Sequence, residues 1–104
     1  MSENLMNLVK IIRDRKNKDE DESYTSSLLS GGLSKCMGKM EEEFGELKEA
    51  LNDQSNIVHE AADTIYHILV TLEAADIKFE DVLKELENRK KQSGIIEKKN
   101  RKLK

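Results

Sequence analysis

The feature that most constrains the fold is an apolar residue that recurs every three or four positions between residues 29 and 51. The spacings are 4, 4, 3, 4, 3 and 4, through Leu29, Leu33, Met37, Met40, Phe44, Leu47 and Leu51. This repeat predicts one apolar stripe along a helix, and we take that stripe as its core face. Glycines at positions 31, 32, 38 and 45 interrupt the pattern, and each costs a helix about 1 kcal/mol relative to alanine. The helix therefore needs packing partners, and we predict a break near Gly31-Gly32.

The remaining apolar pattern predicts further helices, joined by short polar segments. Ser23-Tyr24-Thr25 is rich in residues that cap helices and marks where the long helix begins. Residues 52–56 have the length of a turn in an antiparallel helical hairpin. In chain order, the other predicted segments are a short helix through Leu5, Leu8, Val9 and Ile12, an exposed loop at 14–22, a third helix from Val58 to Leu72, and a fourth from Phe79 to Leu86.

Composition favours an all-α fold. The chain has no proline, and only 4% of its residues are aromatic. With 104 residues it forms one domain, 1–104, and a chain of this size buries about 60 to 65% of its unfolded surface. The core is aliphatic and thin, and small proteins of this kind usually bury more apolar surface by oligomerising. We predict a chain of four to five helices that forms a helical bundle completed by dimerisation.

Five acidic residues fall at helical spacing on the two arms of the predicted hairpin. Glu42, Glu43 and Glu46 form the pattern EExxE, and Glu60 and Asp63 form ExxD. Residues three or four apart share one side of a helix, so two packed antiparallel helices would bring these carboxylates together. Carboxylates that close repel, and a divalent cation such as Mg²⁺ or Mn²⁺ relieves the repulsion. The pattern therefore predicts a metal site.

A solvated acidic surface is the alternative interpretation, since 38% of the residues are charged. The third helix argues against it, because Asp63 carries the one formal charge between Ala61 and Leu72. Aspartate is rarely buried unless it is paired or bound to metal. His67 continues the stripe of Glu60 and Asp63, either as a contact to the ligands or as a satisfied core histidine.

Cysteine content and hydropathy exclude several classes of protein. The single cysteine, Cys36, rules out an intrachain disulfide and a cysteine-ligated zinc site, and it fits a reducing cytoplasm. No stretch approaches about 18 apolar residues, and the N-terminus lacks a signal-peptide core, so we expect no membrane partner. A basic C-terminal tail, 88–104, has eight basic side chains against one acid, Glu97. No aromatic residue interleaves it, and we expect no nucleic-acid partner.

These residues resemble the MazG-type all-α nucleotide pyrophosphohydrolases and, within them, the phosphoribosyl-ATP pyrophosphatase family of histidine biosynthesis. EExxE with ExxD is typical of the whole superfamily, whereas the Ser-Tyr-Thr segment, the Tyr-His pair and the Ser-Gly tail are typical of this family. The matching residues span nearly the whole chain: Arg15, Ser23-Tyr24-Thr25, Leu28, Gly32-Leu33, Lys35, Lys39, Glu42-Glu43, Glu46, Glu60-Ala61-Ala62-Asp63, Tyr66-His67, Asp81-Val82-Leu83, Leu86, Arg89, Ser93-Gly94 and Glu97-Lys98.

The resemblance implies metal-dependent hydrolysis of phosphoribosyl-ATP to phosphoribosyl-AMP and pyrophosphate, with Mg²⁺ or else Mn²⁺. It makes Glu43 either a further ligand or the base that orients the attacking water. Lys35 and Lys39 would contact phosphate, or else pair in solvent with glutamates one turn away. The implied site is Glu42, Glu46, Glu60 and Asp63 for the metal, Glu43 and Glu46 for catalysis, Lys35, Lys39 and Arg15 for substrate phosphate, and His67 and Tyr24 behind the ligands.

Two other functions remain open at this point. One is a house-cleaning pyrophosphohydrolase with the same metal motif, acting on nucleoside and deoxynucleoside triphosphates. The other is a non-enzymatic helical dimerisation module. For a phosphoribosyl-ATP pyrophosphatase we expect a small nucleotide substrate, a homodimer or a tetramer, and a cytoplasmic location.

Overall fold

The computed structural model describes residues 2–90, and the regular structure in that range is entirely α-helical. The five helices are α1 (Ser2–Arg15), α2 (Tyr24–Ser30), α3 (Gly32–Asp53), α4 (Ile57–Ala74) and α5 (Phe79–Lys90). The predicted all-α fold of four to five helices is confirmed, while its completion by a second copy stays a prediction. The basic tail predicted at 88–104 begins inside α5, and its remainder, from 91 onward, lies outside the described residues.

The segment between α1 and α2 is the exposed loop expected from sequence, with one difference at its start. Helix α1 continues to Arg15, two residues into the predicted loop. Arg13 and Arg15 lie in its last turn, where positive charge stabilises a helix C-terminus. Side chains 17–22 are exposed. Ser23 then caps α2, because its side chain accepts a hydrogen bond from the Ser26 backbone N–H at 3.0 Å.

Helices α2 and α3 replace the single long helix, and they are separated where the two glycines predicted a break. Gly32 has φ +88, a left-handed conformation that costs glycine little because it lacks Cβ. The backbone therefore turns here, and α2 packs on both α3 and α4.

The antiparallel pair α3 and α4 is the main framework of the fold. Between them, Gln54 and Asn56 adopt left-handed conformations with φ 56 and 53. Backbone N–H groups of Gln54 and Ser55 both bond the Ala50 carbonyl and so close the end of α3. The turn predicted at 52–56 is confirmed but shorter, at 54–56, because α3 continues through Asp53. Within residues 2–90, no helix combines the length and apolarity needed to cross a membrane.

The buried core draws on all five helices. Its members are Val9 and Ile12 of α1, Leu28 and Leu29 of α2, Cys36 of α3, Leu69 and Val70 of α4, and Phe79 of α5.

The apolar stripe of α3 is not the core face of the single chain, and that expectation is wrong. Leu33, Met37, Phe44 and Leu51 are 40 to 53% exposed. The side of α3 that packs inward carries Cys36, half-buried Glu43 and Ala50, seven residues apart. The small side chains of Cys36 and Ala50 on this face let α4 approach closely, so the bulky stripe is displaced toward solvent.

Candidate active site

Carboxylates from α3 and α4 meet beside the hairpin turn. Ligand atoms of Glu43, Glu46 and Glu60 all lie within 4.8 Å of one another, and we name these residues the carboxylate group. A second set, the His59 group, consists of His59, Glu60 and Asp63 and meets the same distance limit. Glu60 belongs to both groups, so the two form one continuous polar site along α4.

A buried threonine joins the backbones that carry these acids. The Thr64 hydroxyl lies 2.7 Å from the Glu60 carbonyl in its own helix and 3.2 Å from the Glu43 carbonyl of α3. Seven residues further along α4, Thr71 makes the same pair of contacts, to the carbonyls of His67 and Cys36 at 2.7 and 3.2 Å. The two hydroxyls therefore fix the spacing of α3 and α4 at and beyond the site.

The electrostatics of the carboxylate group are unfavourable without a cation. Oε2 of Glu43 is buried and has no hydrogen-bond partner among the described residues. Burial, and then the neighbouring Glu46 carboxyl, raise the pKa of Glu43. Within residues 2–90, no lysine or arginine forms an ion pair with a member of this group. Burying an unpaired carboxylate is costly, so this arrangement suits a bound positive charge.

His67 is buried below Asp63, and both of its ring nitrogens are satisfied. Nδ1 lies 2.9 Å from the Asp63 carbonyl, and Nε2 lies 3.3 Å from the Tyr24 hydroxyl. Because a carbonyl only accepts, Nδ1 donates the hydrogen in its contact with Asp63. Thr25 and Tyr66 add a second hydroxyl contact between α2 and α4. This network packs the Ser-Tyr-Thr segment against the helix that bears Glu60 and Asp63.

The predicted phosphate-binding residues lie on the α2 side of the site. Lys39 Nζ is 3.3 Å from Glu42, whose hydrogen bond and charge raise the pKa of the lysine. Lys35 instead reaches the Ser27 carbonyl at 3.5 Å. The Arg15 side chain is half-buried, and its backbone carbonyl accepts a hydrogen bond from Ser26. Of the two alternatives left open for the lysines, the ion pair with a glutamate is formed by Lys39.

Glu42 lies outside both groups of converging ligands. Its side chain is exposed and contacts Lys39. Glu43, one position on, faces inward and occupies the place that the metal-ligand assignment gave to Glu42. A ligand role for Glu42 stays a prediction.

A cavity of about 160 Å³ opens beside the carboxylate group. Its lining includes Glu46, Glu49, Asp53 and Glu60, together with the polar turn residues Ser55 and Asn56. A triphosphate approaching this acidic opening would be repelled unless a cation intervened.

Comparisons with known proteins identify the family of this chain. A family model described as phosphoribosyl-ATP pyrophosphohydrolase matches residues 5–90. The chain belongs to the phosphoribosyl-ATP pyrophosphohydrolase family. Three relatives share the description phosphoribosyl-ATP pyrophosphatase. That of Rhizobium etli is 41% identical over 93% of this chain and 92% of its own. That of Roseobacter denitrificans is 46% identical over 86% and 88%, and that of Ruegeria pomeroyi is 44% identical over 90% and 91%.

For this member of the phosphoribosyl-ATP pyrophosphohydrolase family, the donor atoms fit a divalent cation. Carboxylate oxygens are the ligands that Mg²⁺ and Mn²⁺ prefer, and the buried oxygen of Glu43 lacks any other partner among the described residues.

Sequence reasoning missed the two threonine contacts and His59. A threonine pair seven residues apart in an apolar helix was the available signal for the former, and a histidine directly before ExxD was the signal for the latter.

Proposed function

We propose that this chain hydrolyses phosphoribosyl-ATP to phosphoribosyl-AMP and pyrophosphate, and that the reaction requires Mg²⁺, with Mn²⁺ as an alternative. One water is consumed as the bond between the α and β phosphates breaks. Membership of the phosphoribosyl-ATP pyrophosphohydrolase family supports the substrate and the reaction. The observation that carries the proposal is the convergence of Glu43, Glu46 and Glu60 from two helices in a chain of this family.

Glu46, Glu60 and Asp63 are the residues that would hold the cation, with Glu43 or Glu42 completing the set. When bound, a divalent cation neutralises charge on the phosphate oxygens and polarises the phosphorus for attack. This role is supported by the ion pairs of the described residues, in which no lysine or arginine pairs with Glu43, Glu46, Glu60 or Asp63.

Glu43 is our candidate for the residue that accepts a proton from the attacking water. Its carboxyl is less exposed than that of Glu42, and burial raises its pKa, which makes it a stronger base than a solvated glutamate. Thr64 holds the Glu43 backbone against α4 at a fixed distance. The base would therefore be oriented by the helix pair rather than by a mobile loop.

Lys35 and Lys39 would contribute positive charge toward the substrate phosphates. Lys39 would exchange its contact with Glu42 for phosphate, and Lys35 would leave the Ser27 carbonyl, where its hydrogen bond is long. Arg15 would add charge from the end of α1. Neither lysine is tightly held, so little is lost when they move to an anion.

The test is pyrophosphate release from phosphoribosyl-ATP, measured with Mg²⁺ and with EDTA, for the wild type and Asp63→Asn. ATP and a panel of dNTPs are run in parallel. We expect Mg²⁺-dependent turnover of phosphoribosyl-ATP and its loss in the variant. Turnover of dNTPs in place of phosphoribosyl-ATP would make the protein a house-cleaning enzyme. No turnover of any substrate by folded protein would overturn the enzymatic proposal.

We also propose that the active species is a homodimer built on the exposed apolar side chains of the hairpin. On α3 these are Leu33, Met37, Phe44 and Leu51, and on α4 they are Val58 and Ile65. Exposed apolar side chains at heptad-like spacing on two neighbouring helices favour pairing with another helix pair.

We also propose a cytoplasmic location for the protein, because the reaction draws on a nucleotide pool.

Ile65→Glu tests the dimer, with Ile11→Glu as its matched control. The two isoleucines are similarly exposed, at 50 and 53%, but Ile11 belongs to α1. We expect light scattering to give a dimer mass for the wild type and for Ile11→Glu, and a monomer mass for Ile65→Glu. A monomeric wild type would overturn the proposal, and a tetramer mass would extend it.

A further inference from the structure

His59 extends the acidic site with a different kind of ligand. It lies one turn before Asp63 on α4, and its Nε2 is 3.2 Å from Asp63 Oδ2 and 3.8 Å from Glu60 Oε1. The imidazole is 71% exposed, so it is open to a solute as well as to its neighbours. Neither EExxE nor ExxD includes this residue.

The three donor atoms lie within 4.8 Å of one another, which is close enough for them to reach one ion. Neighbouring ligands of an octahedral ion at ~2.1 Å are about 3 Å apart, and opposite ligands about 4 Å. The distances from His59 Nε2 to its two carboxylates, 3.2 and 3.8 Å, fall in that range. A histidine that only formed a surface pair with Asp63 would contribute little to stability.

A second observation points from this group to a cation. Glu60 also belongs to the carboxylate group, in which the buried oxygen of Glu43 has no partner among the described residues. The His59 group therefore adjoins a point where negative charge is already uncompensated. Imidazole is a poor ligand for Mg²⁺ but a good one for Zn²⁺ and other late transition metals.

We propose that His59 is a metal ligand that shifts the cation preference of this site from Mg²⁺ toward transition metals. The inference rests on the proposed function, because it needs the carboxylates to hold a cation. His59 adds a neutral nitrogen donor to Glu60 and Asp63, and it thereby raises affinity for Zn²⁺ while leaving affinity for Mg²⁺ to the carboxylates.

Calorimetric titration of the full chain with Zn²⁺ and, separately, with Mg²⁺ tests the proposal. The variants are His59→Asn, which keeps a polar side chain, Asp63→Asn, which removes a shared carboxylate, and Glu41→Gln, an exposed glutamate of α3 outside both groups. We expect His59→Asn to weaken Zn²⁺ binding on the order of tenfold or more and to change Mg²⁺ binding less than about twofold. Glu41→Gln should match the wild type for both ions.

Nuclear magnetic resonance supplies a readout independent of affinity. The chain has two histidines, so the ring nitrogen signals of His59 and buried His67 can be assigned by substitution. We expect Zn²⁺ to shift the His59 nitrogen that bonds the ion. Equal Zn²⁺ affinity in the wild type and His59→Asn, or an unshifted His59 signal, would overturn the proposal. Binding of neither ion by the wild type would overturn the metal dependence of the proposed function, and the His59 proposal with it.

Discussion

Two clusters of glutamates in this molecule differ in whether an arginine pairs with them. Where α1 meets α5, Arg13 bonds both oxygens of Glu80 at 2.9 and 3.2 Å and also approaches Glu73 at 3.5 Å. Where α3 meets α4, Glu43, Glu46 and Glu60 converge, and no lysine or arginine among the described residues pairs with them. We call the first the closed cluster, because Arg13 pairs with both of its glutamates. We call the second the open cluster, because its glutamates have no such partner.

The pKa values of the two clusters move in opposite directions. The Arg13 side chain, and then the backbone at Glu80 itself, lower the pKa of Glu80 to about 2. Burial and a second carboxyl raise the pKa of Glu43. An acid of lowered pKa stabilises the fold when ionised, whereas an acid of raised pKa destabilises it. The contrast distinguishes Glu80, which stabilises the fold, from Glu43, whose charge a bound cation would stabilise.

The largest effect should come from Glu60→Gln, which removes a member shared by both ligand groups. We expect pyrophosphate release to fall at least about 100-fold, because the amide keeps the shape but loses the charge that binds a cation. The melting temperature of the metal-free protein should not fall, since the substitution also removes a repulsion. Initial rates with saturating Mg²⁺, together with melting curves in EDTA, measure the two effects.

Glu41→Gln is the matched control for that experiment, because Glu41 is an exposed glutamate of α3 outside both groups. Its rate should remain within about twofold of the wild type. If Glu60→Gln kept full activity, or lost it only by unfolding, the distinction between the two clusters would fail.

Glu43→Gln should stabilise the metal-free protein while it abolishes activity. The pKa of Glu43 in the folded chain lies above its ordinary value of 4.5. The folded state therefore binds this proton more tightly than the unfolded state, and stability is lost as pH rises through the folded pKa. Melting curves in EDTA should coincide for the wild type and the variant near pH 4 and diverge by pH 8, with the variant the more stable.

Mg²⁺ should reverse that order, because a ligand that binds only the folded state raises its stability. At pH 8, added Mg²⁺ should raise the melting temperature of the wild type more than that of Glu43→Gln. A wild type that is more stable than the variant in EDTA at pH 8 would contradict the assignment of Glu43 as an uncompensated acid.

Thr64→Val should weaken the support beneath the open cluster. It removes the hydroxyl that bridges the Glu43 and Glu60 carbonyls, at a cost of about 1 kcal/mol in the free energy of unfolding. Thr71→Val removes the equivalent bridge further from the acids. We expect chemical denaturation to give similar losses of stability for both, and pyrophosphate release to fall for Thr64→Val alone.

Much of the fold follows from local pattern in the sequence. Ser23 as a cap, the break at Gly31-Gly32 and a turn between α3 and α4 each rest on the conformational preferences of nearby residues. Each is confirmed, although the turn spans 54–56 rather than 52–56. The apolar stripe of α3 had to be read from spacing alone, and spacing cannot tell a core face from a face left for another chain. The core face was therefore misassigned, although the helix itself was not.

The site was predictable to the level of its helices but not of each side chain. EExxE puts Glu42 and Glu43 in adjacent positions, and only the packing of α4 through Thr64 and Thr71 decides that Glu43 turns inward. The half-exposed position of Asp63 in the single chain also depends on packing, since its helix pattern indicated a buried acid. Local pattern fixes which residues can converge, and helix-to-helix distance fixes which of them do.

The smallest effect should come from Glu80→Gln in the closed cluster, with Glu87→Gln as its control on the same helix. Arg13 would lose its charged partner in α5, so the melting temperature at pH 7 should fall modestly and the rate of pyrophosphate release should not change. Because the pKa of Glu80 is lowered from 4.5 to about 2, its stabilisation is present above pH 4.5 and is lost as pH falls toward 2. The difference from the wild type should therefore vanish in acid and shrink in high salt. Among the described residues, Glu87 pairs with Lys90, three residues on, and Glu87→Gln should leave the link between α1 and α5 intact. Equal losses in the two variants would show that the contact with Arg13 adds nothing beyond an ordinary surface pair.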